Sequence, residues 1–317
     1  MSKRVKAIFI LAVIGCLIAL VGCGKDESQD KQDSKGTADS GASQASHKLH
    51  IATTFYPMYE FTKQIVKDKA QVDLLIPATV EPHDWDPSPK DIEHIQKSDL
   101  LVYNSPEMET WAPNVQKSVS HVEFVQASKG IDLMKSAEEE EGSNLDPHVW
   151  LDPVLAEKEV ETITQAIVKK DPDNKAFYEK NSEDYLKQLQ QLDDLFRTTL
   201  ADAPKKDIIT QHAAFGYLAK EYGLNQVPIA GLEPDQEPSA KRLAELKTFA
   251  QKNKINIIYF EEVASPKVAQ ALADEVGAKA VVLSPLEGLT KKEQEQGLDY
   301  IEMMKRNLDA LKQSLLK

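Results

Sequence analysis

Four residues with good metal-donor side chains each sit in a short run that reads as a sharply marked loop. They are His83 in Glu81-Pro82-His83-Asp84-Trp85, His148 in Asp146-Pro147-His148-Val149-Trp150, His212 in Thr210-Gln211-His212-Ala213-Ala214-Phe215, and Glu287 in Ser284-Pro285-Leu286-Glu287-Gly288. Three neutral imidazoles and a carboxylate supply the nitrogen and oxygen donors that Zn²⁺ takes in a four-coordinate tetrahedral shell. For the fourth position, Glu81 and a water molecule compete with Glu287. Asp84 and Asp146 flank ligand candidates and could accept a hydrogen bond from an imidazole N–H, which would fix the metal-binding tautomer. Asp146 could equally cap a turn before Pro147.

The remaining histidines read as structural or surface residues. His94 lies inside the helical pattern Asp91–Lys97, His121 precedes a strand, and His47 and His50 stand where the folded part begins. Trp85, Trp111 and Trp150 could wall a cleft, although large aromatics more often fill a core.

The elements that must position these residues alternate. Leu49–Thr53, Val72–Ile76, Leu100–Tyr103 and Val122–Val125 read as buried strands, with helical patterns near Met58–Val66, Pro89–Lys97 and Trp111–Ser118 between them. Such alternation implies parallel βαβ units. Asp152-Pro153 opens a helix, with Asp as N-cap and Pro at the first helical position. A second start at Asp171-Pro172-Asp173 precedes the longest periodic run. There Tyr178, Tyr185, Leu189, Leu192, Phe196 and Leu200 form one helical stripe that ends at Ala203-Pro204. Strands then recur at Ile208–Thr210, Ile255–Phe260 and Ala280–Leu283. Helices recur near Ala214–Tyr222, Ser239–Lys252, Pro266–Val276 and Asp299–Leu315.

The pattern predicts an α/β protein of two lobes, each a parallel sheet flanked by helices, joined by one long α-helix. The expected bounds are 47–172 for the first lobe, 173–203 for the linking helix and 204–317 for the second lobe. His83, His212 and Glu287 each follow a strand, which is where open parallel sheets bind ligands. A metal held by His83 and His148 from one lobe and His212 and Glu287 from the other would sit in the interlobe cleft.

The ends and composition add a setting. Residues 1–22 read as an export leader: Lys3, Arg4 and Lys6 form a charged start, and the apolar run Ala7–Val21 is too short for a convincing span. Leu20-Val21-Gly22-Cys23 matches a bacterial lipobox, which makes Cys23 the expected site of acylation and the new N-terminus. Cys16 leaves with the leader, so no cysteine remains free for a disulfide. Residues 23–46 are nearly all Lys, Asp, Ser, Gln, Gly and Ala and read as a flexible tether. The formal charge is −13, or −16 once the three leader cations are gone, which argues against nucleic acid or anionic lipid as an electrostatic partner.

On these residues the chain resembles the zinc-binding lipoproteins of bacterial metal ABC importers, substrate-binding proteins with a rigid linking helix. The resemblance covers Leu49 to Lys317. It rests on Glu81-Pro82-His83-Asp84-Trp85, on Asp146-Pro147-His148-Val149-Trp150-Leu151-Asp152-Pro153, and on His212-Ala213-Ala214-Phe215-Gly216-Tyr217. It implies His83, His148 and His212 as ligands, and Ser284-Pro285-Leu286-Glu287 looks like the subset in which a glutamate is the fourth. Related manganese receptors carry a glutamate where this chain has His212 and an aspartate near Glu287, so the nitrogen-rich set points to zinc. Many zinc receptors carry a histidine-rich acidic loop before the second ligand. Here Glu138-Glu139-Glu140-Glu141 contains no histidine and reads as a solvated loop.

What the resemblance implies is an extracytoplasmic, high-affinity zinc receptor and not an enzyme; a monomer is the default expectation. It would be lipid-anchored to the cell membrane through Cys23 and would deliver zinc to an ABC permease with its cytoplasmic ATPase. A manganese or other divalent-metal receptor is the near alternative. A zinc hydrolase or a surface adhesin with a structural metal are alternatives from other classes. No His-Glu-x-x-His helix is present to favour the hydrolase.

Overall fold

The computed structural model describes residues 48–136, 144–234, 236–262 and 264–317. The leader, Cys23, the tether and the acidic run Glu138–Glu141 lie outside the described residues.

The first lobe is built on four parallel strands, β1 (His50–Thr53), β2 (Gln71–Leu74), β3 (Leu100–Tyr103) and β4 (Glu123–Gln126), in the order β2-β1-β3-β4. Its helices are α1 (Tyr56–Val66), α2 (Pro89–Gln96) and α3 (Ala112–Ser118), followed by α4 (Pro153–Lys170). Local chemistry sets their starts. Ser88 and Asp91 form a reciprocal capping box with Pro89 in the first turn of α2, and Asp152 accepts from the Val154 N–H ahead of Pro153 in α4.

The long helix α5 (Lys175–Leu200) is shorter than the periodicity suggests, because Pro172–Asn174 form a separate 3₁₀ turn ahead of it. Its 26 residues span on the order of 40 Å. Its buried stripe is Tyr178, Ser182, Tyr185, Leu189, Leu192, Phe196 and Leu200.

The second sheet repeats the first. Strands β5 (Asp207–Thr210), β6 (Asn225–Pro228), β7 (Ile257–Phe260) and β8 (Lys279–Val282) run parallel in the order β6-β5-β7-β8. Helices α6 (Gly216–Glu221), α7 (Ala240–Lys252), α8 (Lys267–Val276), α9 (Lys291–Glu295) and α10 (Tyr300–Leu315) cover it. Two elements are not marked in the sequence. Strand β6 is an edge strand whose four residues, Asn-Gln-Val-Pro, offer neither an apolar run nor clean alternation. Helix α9 has five residues, too few to show a period. β7 starts two residues later than its apolar run, because Lys254 turns the chain with φ +53° just before it.

One apolar cluster runs through both lobes. It includes Ile51, Phe61 and Leu100 from the first, Leu189 and Phe196 from α5, and Ile208, Tyr259 and Leu311 from the second. Smaller clusters cover the far faces of the two sheets, around Ile95 and Leu101 in one and around Ile209 and Ile258 in the other. Helix α10 ties the lobes together. Tyr300 packs edge-on to Phe61 and donates its hydroxyl to the Trp150 carbonyl at 2.6 Å, while Tyr259 of β7 bonds to the Ala310 carbonyl and to Ser314.

Candidate metal centre

In each sheet the chain reverses its direction of winding between two central strands, β1 and β3 in the first, β5 and β7 in the second. A crevice opens beyond the carboxyl ends at such a point. In the second lobe, His212 follows β5 and Glu261 follows β7, so the two meet across that crevice. His212 Nδ1 lies 2.5 Å from Glu261 Oε1, and both side chains are buried. In the first lobe, Asn104 follows β3 and donates its side-chain amide to the Pro147 carbonyl at 2.8 Å, which pins the loop that carries His148. Glu109 supports that corner by accepting from the Asn104 and Ser105 N–H groups and from the Thr54 hydroxyl.

These loops bring together His83, His148, His212 and Glu287. The imidazole Nε2 atoms of His83 and His148 are 3.2 Å apart, and those of His148 and His212 are 3.3 Å apart. Glu287 Oε1 lies 3.3 Å from His83 Nε2, 3.3 Å from His148 Nε2 and 3.6 Å from His212 Nε2. A tetrahedron with metal–donor bonds of about 2.0–2.1 Å has edges of about 3.3–3.4 Å, so these donors are spaced as the corners of a zinc-sized shell. His148, His212 and Glu287 are fully buried, and the His83 ring is 6% exposed, leaving that donor nearest to solvent.

In His148 and His212 the other ring nitrogen is held by a carboxylate. Asp146 Oδ1 accepts from both the His148 backbone N–H and its Nδ1, at 2.9 and 2.8 Å, so one oxygen caps the turn and orients the ring. Glu261 does the same for the His212 ring. A donating Nδ1–H leaves the Nε2 lone pair free to face the centre and makes it a more basic ligand. Glu261 escaped the sequence reading. Its only signal is an acidic residue placed directly after a parallel strand. Asp84 is exposed, and among the described residues the carboxylates on the ring Nδ1 atoms are Asp146 and Glu261.

Glu81 does not join the four. Its Oε1 accepts from the His83 N–H at 3.1 Å, and its pKa is pushed up to about 9 by burial and by the negative charge of Glu287. It stands beside the centre, held on the His83 backbone N–H. Glu287 behaves oppositely. Burial alone would raise its pKa, but hydrogen bonds from His148, His212 and His83 outweigh burial and hold it well below the usual carboxylate range. Burial would likewise depress the histidines. For His148 the hydrogen bonds to Asp146 and Glu287 win, and for His212 the charge and hydrogen bond of Glu261 win, so both are raised.

The Glu287 loop is a tight fit. Leu286 adopts φ +55° and is fully buried, a left-handed conformation unusual for a branched apolar side chain. A Cβ on Gly288 would stand 2.1 Å from the Ala78 carbonyl oxygen, so only glycine lets this loop reach the first lobe. The Trp150 indole N–H donates to the Pro285 carbonyl at 2.8 Å, joining the His148 loop to the Glu287 loop. The ring of Trp150 packs against His148 and Phe55, whereas Trp85 and Trp111 stack edge-on to each other.

Residues 51–314 match the family model described as zinc-uptake complex component A, periplasmic. The chain is 58% identical to the high-affinity zinc uptake system protein ZnuA of Bacillus subtilis, over 100% of this chain and 99% of that one. The crystal structure of the metal-dependent lipoprotein YcdH from Bacillus subtilis superposes with a TM-score of 0.76 at 66% identity, covering 85% of this chain and 100% of that one. The Zn(II)-bound ZnuA-like domain of Streptococcus pneumoniae AdcA gives a TM-score of 0.76 at 47% identity, with 85% and 100% covered.

Proposed function

The chain belongs to the zinc-uptake complex component A family, and on that premise we propose that it captures Zn²⁺ outside the cytoplasm through His83, His148, His212 and Glu287 and delivers it for uptake. The observation that carries the ligand assignment is the set of donor separations between 3.2 and 3.6 Å, which fits one tetrahedral ion. Three imidazoles favour zinc over manganese, which prefers oxygen donors.

A carrier and a hydrolase differ in their fourth position. A catalytic zinc keeps it for water, whereas four protein donors close the shell. Glu287, buried and ionised among three imidazoles, takes that position here. Acylation at Cys23 would hold the protein at the membrane, and its partner would be an ABC permease with a cytoplasmic ATPase. Release then requires the shell to open. Docking that shifts the second lobe would withdraw His212 and Glu287 together, because β5, β7 and β8 carry His212, Glu261 and Glu287 as one unit. The core shared between the lobes, with α5 and α10 across it, limits that movement to local rearrangement rather than wide hinge closure.

The test is metal analysis and chelator-competition titration of the chain beside His212→Ala and Glu287→Ala, with thermal melts of each metal-free protein. One tight zinc lost in both variants, with the metal-free folds intact, is expected. Tight binding untouched by either substitution overturns the ligand assignment, and unfolding on zinc removal would make the metal structural rather than cargo.

A further inference from the structure

A second group of metal-donor side chains lies around the edge strand β2 of the first sheet. His50 opens β1, Asp73 lies in the adjacent β2, and His94 is on α2, which runs back toward the amino ends of the strands. Read one by one along the sequence, His50 and His94 are ordinary surface residues. The fold aims both at one carboxylate: His50 Nε2 lies 2.5 Å and His94 Nε2 2.9 Å from Asp73 Oδ2. The two rings are 5.7 Å apart.

The other nitrogen of His50 says more. Its Nδ1 lies 3.2 Å from the Lys97 carbonyl oxygen. A carbonyl can only accept, so Nδ1 carries the hydrogen. In a neutral ring that leaves Nε2 as a bare lone pair pointing at a carboxylate oxygen. Two lone pairs at that distance repel unless a proton lies between them, and a metal could take the proton's place only if the donors part. An imidazole whose Nδ1–H is tied to a backbone carbonyl, with Nε2 presented beside a carboxylate, is the arrangement that outer-shell hydrogen bonds impose on metal-binding histidines. Gln71 Nε2 donates to Asp73 Oδ2 at 3.0 Å and steadies the carboxylate. The nearby Lys97 ammonium is drawn to Glu93 at 2.6 Å.

We propose that His50, Asp73 and His94 form a second, surface site for a divalent cation of the zinc type, separate from the buried centre. The two imidazole nitrogens and one carboxylate oxygen provide three donors. To hold zinc they must spread from 2.5 and 2.9 Å to about 3.3 Å. That is a small displacement for side chains that are 19%, 26% and 39% exposed for His50, Asp73 and His94. The same exposure lets water complete the shell. An open, water-completed site binds more weakly and exchanges faster than the closed one, so it would load only at higher free zinc. The inference rests on different residues from those assigned above and stands or falls separately.

The experiment is equilibrium dialysis of the full chain, free of affinity tags and solubilised in detergent, against buffered free Zn²⁺, with bound metal counted by elemental analysis. His94→Gln, His50→Gln and His212→Ala are compared, with circular dichroism of each to verify folding. The expected result is one zinc per chain at low free metal and a second at higher free metal. That second ion should be lost in His94→Gln and in His50→Gln, each of which keeps the tight zinc, and retained in His212→Ala. Saturation at a single zinc, or a second zinc that persists in folded His94→Gln and His50→Gln, overturns the proposal and leaves the triad as a charged hydrogen-bonded cluster.

Discussion

Glu261 Oε1 lies 2.5 Å from the Nδ1 of His212, with both side chains buried and each placed directly beyond a central strand of the second sheet. The contact sets which nitrogen of His212 faces the centre and makes that nitrogen more basic. Glu261→Gln keeps the shape but loses the charge. Zinc affinity should fall by about 10- to 100-fold, less than for His212→Ala, as read by competition with a chromophoric chelator. Affinity equal to the unsubstituted chain would mean that the carboxylate does no more than fill space.

Proton competition should follow from the raised values of His148 and His212. Each metal-free ring takes up a proton at higher pH than a free imidazole, whose pKa is about 6.5. Zinc affinity should therefore begin to fall while the pH is still above that value, and steepen as both rings protonate. Glu287 stays ionised throughout, since its pKa is lowered. Affinity measured from pH 8.5 down to 5.5 checks this. A curve flat down to pH 6.5 would contradict it.

Glu159 lies fully buried on α4, and neither of its carboxylate oxygens has a hydrogen-bond partner among the described residues. Burial, helped by the charge of Glu109, raises its pKa well above 4.5. The folded state then holds this proton more strongly than the unfolded chain does. The stability it confers is complete below the unfolded value and is lost as pH rises through the folded one. Glu159→Gln should raise the metal-free Tm at pH 8, by about 2–4 °C for each kcal/mol gained, and change it little at pH 4.5. Calorimetry at both pH values tests the sign.

Gly288→Ala should separate loop placement from ligand chemistry, because it alters no donor. The added methyl would meet the Ala78 carbonyl at 2.1 Å, so the Glu287 loop must retreat from the first lobe. Overpacking of this kind costs about 1–3 kcal/mol, and zinc affinity should drop about tenfold or more while far-ultraviolet circular dichroism stays unchanged. Unaltered affinity would show that the loop reaches Glu287's position without this close approach.

Much of the architecture is legible locally. Strand–helix alternation exposes the parallel sheets because each buried strand is a short apolar run. The stripe from Tyr178 to Leu200 exposes the long helix because one face of it is core. Pro89 and Pro153 mark helix starts because proline suits a first helical turn. β6 and α9 leave no such trace, the first being a polar edge and the second too short for a period.

By itself the sequence determined the candidate donors, His83, His148 and His212 with Glu287, Glu81 or water for the fourth position, because the short loop motifs mark each residue without its partners. What belongs to spacing in three dimensions was decided only by the tertiary structure. It set Glu261 on His212, turned Glu81 onto the His83 backbone and left Asp84 exposed, and gathered His50, Asp73 and His94 onto one point. Those relationships depend on strand order and on which loops leave the same sheet edge. A chain read one residue at a time carries periodicity and turn chemistry, but not the distance between side chains remote in sequence.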